Sequence, residues 1–379
     1  MNLALSDEQV FLREAARGAL SRFKTFESAR EALDGDEDAL PDLWPTAKEA
    51  GWPGLLIPEA DGGAGLDAFD AMLILGECGR VLAPIPLLGH LIATAILSDA
   101  PAGAPLLGAL AVGDRRAAYL PVSPPDDVSP SWTVDPAHGF ERSDAPIAVD
   151  SGSEARVSGE LWFVPDAPGA DVLVGVALLG GQAVGVAIET SAAGVAIEPT
   201  RRYDATRSLG HVSLEDAPAI VLDAPTESLA GAWYLAQALL AAESIGSVET
   251  ALEVSVTYAK ERHTFGRAIG SYQAVKHSLT EVLRQLDNGR SLLYYAGWAR
   301  NGAPAEFPLA ASAARSVAGR ALDQAARTMI SVHGGIGATW EHDAPLYFRR
   351  AQLSRRLLGA TSGATDRVAG ELMAQASAA

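Results

Sequence analysis

Thirteen consecutive positions, SVHGGIGATWEHD from Ser331 to Asp343, hold three glycines, two histidines and two acids. His333, Glu341, His342 and Asp343 are residue types that can ligate a metal. Their spacing fits no standard ligand pattern, however, and the flanking glycines describe a turn rather than a rigid cage. Glu341 and Asp343 could be a catalytic base. They are explained more simply as acids at the start of a following helix, where the macrodipole favours them. A second stretch, YAKERHTFGRAIGSYQ from Tyr258 to Gln273, places other chemistry close together. Arg262, at the end of a long helical pattern, can make a bidentate contact to a phosphate. Phe265 offers a flat face beside it, and the Gln273 amide could read a purine edge. A lone arginine–aromatic–glycine turn also occurs as plain structure, so these residues alone leave both readings open.

The chain that positions them has 379 residues, 48% of them apolar and 20% charged, enough for two or three packed subdomains. A formal charge of −18 argues against a nucleic-acid backbone or an anionic membrane as partner. A few well-placed arginines and helix N-termini can still hold an anionic cofactor. The single Cys78 excludes an internal disulfide and a cysteine-built metal site, and fits a reducing compartment. The N-terminus lacks the order of a signal peptide; Ser6 and Gln9 instead predict a capping box that opens a helix. The apolar run Val172–Ile188 is interrupted by Gly180-Gly181-Gln182, which predicts two strands and a turn rather than a membrane span. A cytoplasmic protein is expected.

Three zones follow. Residues 1–115 carry apolar residues at helical spacing in Asp7–Phe23, Leu40–Ala50, Ala68–Val81 and Leu87–Leu97. Residues 116–224 change to short β-branched runs at Ile147–Val149, Leu161–Val164, Val172–Ala177, Ala183–Ile188, Gly194–Ile197 and Ile220–Leu222. These predict an antiparallel β-domain, and no strand–GxGxxG–helix unit accompanies them. Residues 225–379 return to long helices over Glu227–Lys260, Gln273–Arg300 and Pro308–Val332, followed by two shorter ones, which together predict a bundle. The fold class is α+β, mostly α.

Arg262, Phe265, Gly266, Ile269 and Gln273 spell R-x-x-F-G-x-x-I-x-x-x-Q, a pattern that resembles the acyl-CoA dehydrogenase family. The resemblance extends over most of the chain. It includes Leu5-Ser6-Asp7-Glu8-Gln9, the series from Gly51-Trp52 through Pro58-Glu59 and Gly62-Gly63 to Gly65-Leu66, Gly159 to Val164, Asp204 to Arg207, and His333-Gly334-Gly335-Ile336-Gly337. Helical, β and helical-bundle zones in that order are also the family's architecture. The resemblance implies an oligomeric flavoenzyme that desaturates an acyl-CoA thioester and passes electrons to an electron-transfer flavoprotein. It implies that Arg262, Thr264 and Phe265 touch the pyrophosphate and adenosine side of an FAD held by the neighbouring subunit. Gln273, Gly334 and Gly335 would complete that pocket.

Family chemistry also needs a carboxylate base for the Cα proton. The family places its glutamate at one of two positions; here they are Ala236 and the Leu357-Leu358-Gly359 stretch, and neither carries an acid. The family's Trp-x-Thr becomes Trp162-Phe163-Val164, Ser331 replaces a glutamine, and Tyr119–Asp126 does not match the usual flavin-facing strand. Adenosine-side features persist while isoalloxazine-side features are eroded. The chain therefore resembles the base-lacking subunit of the heterotetrameric acyl-CoA dehydrogenases of steroid side-chain degradation. The catalytic residues of this chain are left unassigned. A homo-oligomer with a displaced base, a non-catalytic scaffold of the same fold, and a flavin monooxygenase or oxidase are the alternatives.

Four further charged sites have ordinary explanations. Glu243, on a small-residue helix face, is expected to pair with an arginine of the bundle. Asp204 and Arg207 are expected to fix the closing strand of the β-domain. Arg349-Arg350 and Arg355-Arg356 read as a solvated face, with a CoA or FAD phosphate as the other possibility.

Overall fold

The computed structural model describes residues 4–35, 39–121, 146–150, 155–200 and 203–378. Six helices come first: α1 (Asp7–Leu20), α2 (Thr25–Asp34), α3 (Trp44–Glu49), α4 (Ala68–Arg80), α5 (Leu87–Ser98) and α6 (Ala104–Ala111). The Ser6–Gln9 capping box forms as expected, each side chain bonding the other's backbone. The helix predicted over Leu40–Ala50 is shorter. Asp42 accepts the Trp44 amide proton, and Pro45, which lacks an amide proton, occupies the first turn. Helices α2 and α6 were not expected.

Seven strands follow: β1 (Ala117–Leu120), β2 (Ile147–Asp150), β3 (Ala155–Pro165), β4 (Val172–Leu179), β5 (Gln182–Glu189), β6 (Val195–Pro199) and β7 (Leu209–Leu222). β4 pairs with β2, β2 with β3, β3 with β7, β7 with β5, and β5 with β4, so the strands close into a small barrel. The expectation of a purely antiparallel domain is corrected. β4 runs parallel to both β1 and β2. Its first six residues, Val172–Ala177, are all buried, the continuous apolar pattern of a strand covered on both faces. The β4–β5 turn at Gly180-Gly181, with both φ angles positive, is the two-residue hairpin that the glycines predict.

The rest is helical: α7 (Thr226–Glu261), a two-residue hairpin of β8 (His263–Thr264) and β9 (Arg267–Ala268), then α8 (Gln273–Gly302), α9 (Phe307–His333), α10 (Ala344–Ser354) and α11 (Ala360–Ala378). From Leu229 to Val248, α7 is buried on nearly every face, as befits a helix surrounded by other elements. α4, α8, α9 and α10 pack around it. The α4–α7 crossing is close because a Cβ on Gly79 would collide with the Glu243 carbonyl, and one on Gly246 with the Gly76 carbonyl.

His90, on α5, joins this helical layer to the barrel. Its ring is fully buried, with Nδ1 accepting the Ala117 amide at 3.1 Å and Nε2 donating to the Pro53 carbonyl at 3.2 Å. Burial pushes its pKa down from 6.5 to about 4. A folded-state value below the unfolded one means that this contribution is intact above pH 6.5 and is lost as the pH falls toward 4. The loss amounts to about 3 kcal/mol. Urea unfolding of the wild type and His90→Gln should therefore show a stability gap at pH 7 that closes toward pH 4. A gap constant over that range would contradict the buried neutral imidazole.

Candidate functional site

Helix α7 ends at Arg262, whose extended backbone turns the chain into the β8–β9 hairpin. Phe265 (φ +50°) and Gly266 (φ +78°) form its tip, a pair of positive φ angles that suits a twisted two-residue hairpin. For phenylalanine this backbone is strained by roughly 1–2 kcal/mol. Its ring is also 98% exposed, so nothing in the chain offsets that strain. Two contacts brace the hairpin from below. Tyr272 donates to the Thr264 carbonyl at 3.1 Å, and the Arg267 guanidinium lies 4.1 Å over the Tyr272 ring. The hydrogen bond from Arg267, foremost, lowers the Tyr272 pKa.

The glycine motif lies at the same end of the bundle. α9 stops at Gly334, whose φ +63°, ψ −135° is open only to glycine. A Cβ built on Gly334 or Gly335 would meet nothing within 4 Å, so this backbone is open to close approach, although the Gly334 amide itself donates to the Ile330 carbonyl at 3.0 Å. The two motifs are held together by rings. Tyr258, one turn before Arg262, lies 4.3 Å from His333, which lies 4.1 Å from His342. Between them is a cavity of 540 Å3 lined by Thr264, Ile269, Tyr272 and Ser331 among others.

Sequence reasoning did not single out Tyr258, Tyr272 or Arg267, although all three lie within a few residues of Arg262. Thr264 is half-buried and lines that cavity, whereas Arg262, Gln273, Gly334 and Gly335 are exposed and are not part of its lining. Among the described residues, the Arg262 guanidinium has no carboxylate partner. An arginine without a carboxylate partner, an unobstructed glycine backbone and an unsupported aromatic ring fit the diphosphate and adenosine of a dinucleotide. Nothing there contradicts FAD.

The tail of the glycine motif does something different from what was expected. Asp343 sits at the N-cap of α10, but its side chain pairs with Arg30 instead of capping. The capping acceptor is His342 Nδ1, which takes the Ala344 amide at 3.0 Å. Glu341 is fully exposed and bonded to Thr339, which lowers its pKa. Among the described residues no cluster could hold a metal.

The two positions where a base was sought also meet in space. Ala236 is fully buried and Leu358 is 1% exposed. Gln237, the next residue on α7, donates to the Leu358 carbonyl at 2.8 Å. Leu358, Gly359 and Ala360 all have positive φ, and a Cβ on Gly359 would lie 2.9 Å from the Trp233 ring. This loop is closed and apolar. The buried carboxylates among the described residues are Asp70, Glu77, Asp166, Asp204 and Glu243, and each already holds a donor. Asp166, whose pKa burial raises, accepts the Gly89 amide at the end of β3. On the barrel, Trp162 is 41% exposed and stacks on His211 at 3.6 Å. The part of Tyr119–Asp126 beyond Pro121 lies outside the described residues.

Glu243 pairs with arginines, as expected, but one of them is unexpected. Arg350 is 1% exposed, so the solvated face assigned to it is corrected. Its Nε donates to Asp204 Oδ2 at 2.6 Å, Nη1 to Glu243, and Nη2 to the Thr206 hydroxyl at 2.6 Å. Arg207 donates to the other Glu243 oxygen. Burial would raise the Asp204 pKa, but Arg350 and Thr206 outweigh it and hold it low. This network locks the barrel to α7 and α10. Arg349, beside it, stacks over Tyr203 and Trp340.

A helical layer, a small barrel and a long-helix bundle, with the Arg262 hairpin and the Gly334-Gly335 loop at one bundle end, give the architecture of an acyl-CoA dehydrogenase type of protein. Residues 6–101 match the acyl-CoA dehydrogenase N-terminal domain, and residues 233–373 match the acyl-CoA dehydrogenase C-terminal domain. The chain is 32% identical to acyl-CoA dehydrogenase IpdE2 of Mycobacterium tuberculosis over 93% of both proteins. It is 33% identical to acyl-CoA dehydrogenase FadE34 of the same organism, covering 93% of this chain and 46% of that one. Among solved structures it superposes on the Tcur3481–Tcur3483 steroid ACAD with a TM-score of 0.85 at 27% identity, covering 98% of this chain and 99% of that one. The chain belongs to the acyl-CoA dehydrogenase family, oxidoreductases acting on the CH–CH bonds of acyl-CoA thioesters. No helix among the described residues is long and apolar enough to cross a membrane.

Proposed function

We propose that this chain is the base-lacking subunit of a heteromeric, FAD-dependent acyl-CoA dehydrogenase that desaturates a bulky, steroid-type acyl thioester. One observation carries the reading. The bundle presents Arg262 and a 98% exposed Phe265 outward, while both base positions, Ala236 and Leu358, are buried and apolar. A chain built this way can complete a neighbour's cofactor site but, among its described residues, has no carboxylate at either base position to take a proton.

Arg262 would pair with the diphosphate of that FAD, and the Gly334-Gly335 backbone, free of side chains, would let it approach closely. Phe265, Thr264 and Gln273 would border its adenosine, and the cavity beside Thr264 has room for the base. FAD, when bound, accepts the hydride from the substrate Cβ; the homologous partner subunit supplies the carboxylate. The resemblance at 27% identity to a steroid ACAD supports the bulky substrate.

The test is expression of the chain alone and together with a homologous subunit that carries the missing glutamate. The complex is expected to retain flavin and reduce an electron-transfer dye with a steroid acyl-CoA, and the chain alone to show no such turnover. One FAD per protomer with acyl-CoA oxidation by the chain alone would refute the proposal.

A further inference from the structure

A second cavity, of 570 Å3, opens between α8 and α9, away from the Arg262 hairpin. Its wall carries Arg284 from α8, Arg320 from α9 and Arg355 from the loop after α10, with Asp323 as the one acid among the described lining residues. Three cations against one anion is a local excess in a chain of formal charge −18. Asp323 is already engaged, bonding Arg327 at 3.0 Å and Gln352 at 2.5 Å, with Arg355 at 3.7 Å. Arg284 holds Glu281 through two bonds of 2.6 and 2.9 Å. Arg320 is exposed and, among the described residues, has no carboxylate partner.

Behind this wall lies an unusual cation. Arg315 is fully buried and donates from Nη2 to the carbonyls of Ser354 and Leu357. Its Nε and Nη1 have no partner. Burial lowers its pKa to about 10, with the Glu243 carboxylate opposing that shift. A Cβ on Gly319 would stand 3.1 Å from Arg315 Nη1 and against the Thr361 hydroxyl, so Gly319 and Thr361 are the thin wall between this guanidinium and the cavity. An uncompensated buried cation is costly, and an anion next to it offsets that cost.

We infer that this cavity is an oxyanion site that takes the phosphate group of a small molecule. Donors arriving from Arg320 on α9 and Arg355 after α10, with the Glu281-bound Arg284 adding its charge, suit a tetrahedral dianion better than a planar carboxylate, which one arginine satisfies. The volume exceeds that of phosphate and leaves room for an attached organic group. The site adjoins the cavity beside Thr264 through Gln324, which lines both, but none of its arginines belongs to the Arg262 hairpin or to the Gly334-Gly335 loop, so its test is separate from that of the flavin reading.

Calorimetric titration of the full chain with inorganic phosphate, with chloride as reference at fixed ionic strength, tests it. Saturable phosphate binding is expected, weakened about tenfold in Arg320→Gln and in Arg355→Gln, and unchanged in Arg262→Gln. Arg320 is exposed, so its variant should keep the wild-type melting temperature. Phosphate binding no tighter than chloride would overturn the inference, as would a loss confined to Arg262→Gln. So would an Arg320→Gln variant that changes the mass of the assembly but not its phosphate affinity, since the arginines would then serve a neighbouring subunit's carboxylate.

Discussion

Replacing Arg350 by methionine should lower the unfolding free energy by about 3–5 kcal/mol, because it leaves the buried Asp204 without a cation and removes one of two from Glu243. Asp204 would lose its ion pair, and Glu243 would keep only Arg207. Thr206 would lose the donor to both its hydroxyl and its carbonyl. At roughly 2 °C per kcal/mol for a chain of this size, the melting temperature should fall by about 6–10 °C. Arg350→Lys should not rescue it, since one ammonium cannot span Asp204, Thr206 and Glu243 with a planar fork. Thermal unfolding followed by circular dichroism at fixed protein concentration reads the effect. A shift under about 2 °C for Arg350→Met would mean that water reaches the network and that it does not hold the barrel to the bundle.

This network also shows where the sequence stops being informative. Arg350 follows Arg349 in a charged stretch, and a charge run ordinarily faces solvent. Its partners Asp204 and Glu243 are 146 and 107 residues away, and nothing local signals that they converge on it. Glu243 was easier to read, because an acid among small residues on a packed helix must find a cation. The parallel pairing of β4 with β1 and β2 was illegible for a related reason. Alternation of side chains has the same period in parallel and antiparallel strands, and the pairing is decided by which segments the chain brings together. By contrast, the Gly180-Gly181 hairpin, the Ser6 cap and the long bundle helices were legible, because each is set by residues a few positions apart. The proposed cofactor-facing region is local in the same way. Its pieces are a helix end, a hairpin tip and a glycine at φ +63°, each a short-range feature. Only the Tyr258–His333 contact that sets the pieces side by side needed the fold.

Phe265→Gly and Arg262→Gln should separate folding from flavin capture. Glycine at position 265 relieves the positive φ of +50° and loses no packing, because the ring is 98% exposed. The relief of about 1–2 kcal/mol is offset in part by the greater freedom of glycine in the unfolded chain, so stability should change by less than about 1 kcal/mol. Flavin affinity of the co-expressed complex should nevertheless fall about tenfold, in keeping with the worth of one aromatic face against a base. Arg262→Gln removes a charge-assisted fork to the diphosphate and should weaken flavin binding by about a hundredfold. Flavin fluorescence titration of each deflavinated complex measures both effects. Unchanged affinity in both variants would show that the hairpin tip meets no cofactor, whatever the fate of the phosphate cavity. The strain itself supports the expected result: a backbone that bends a large apolar ring into solvent gains nothing within its own chain. No compensating contact comes from the described residues, and the proposed dinucleotide across a subunit boundary would supply one beside Arg262, which has no carboxylate partner among them.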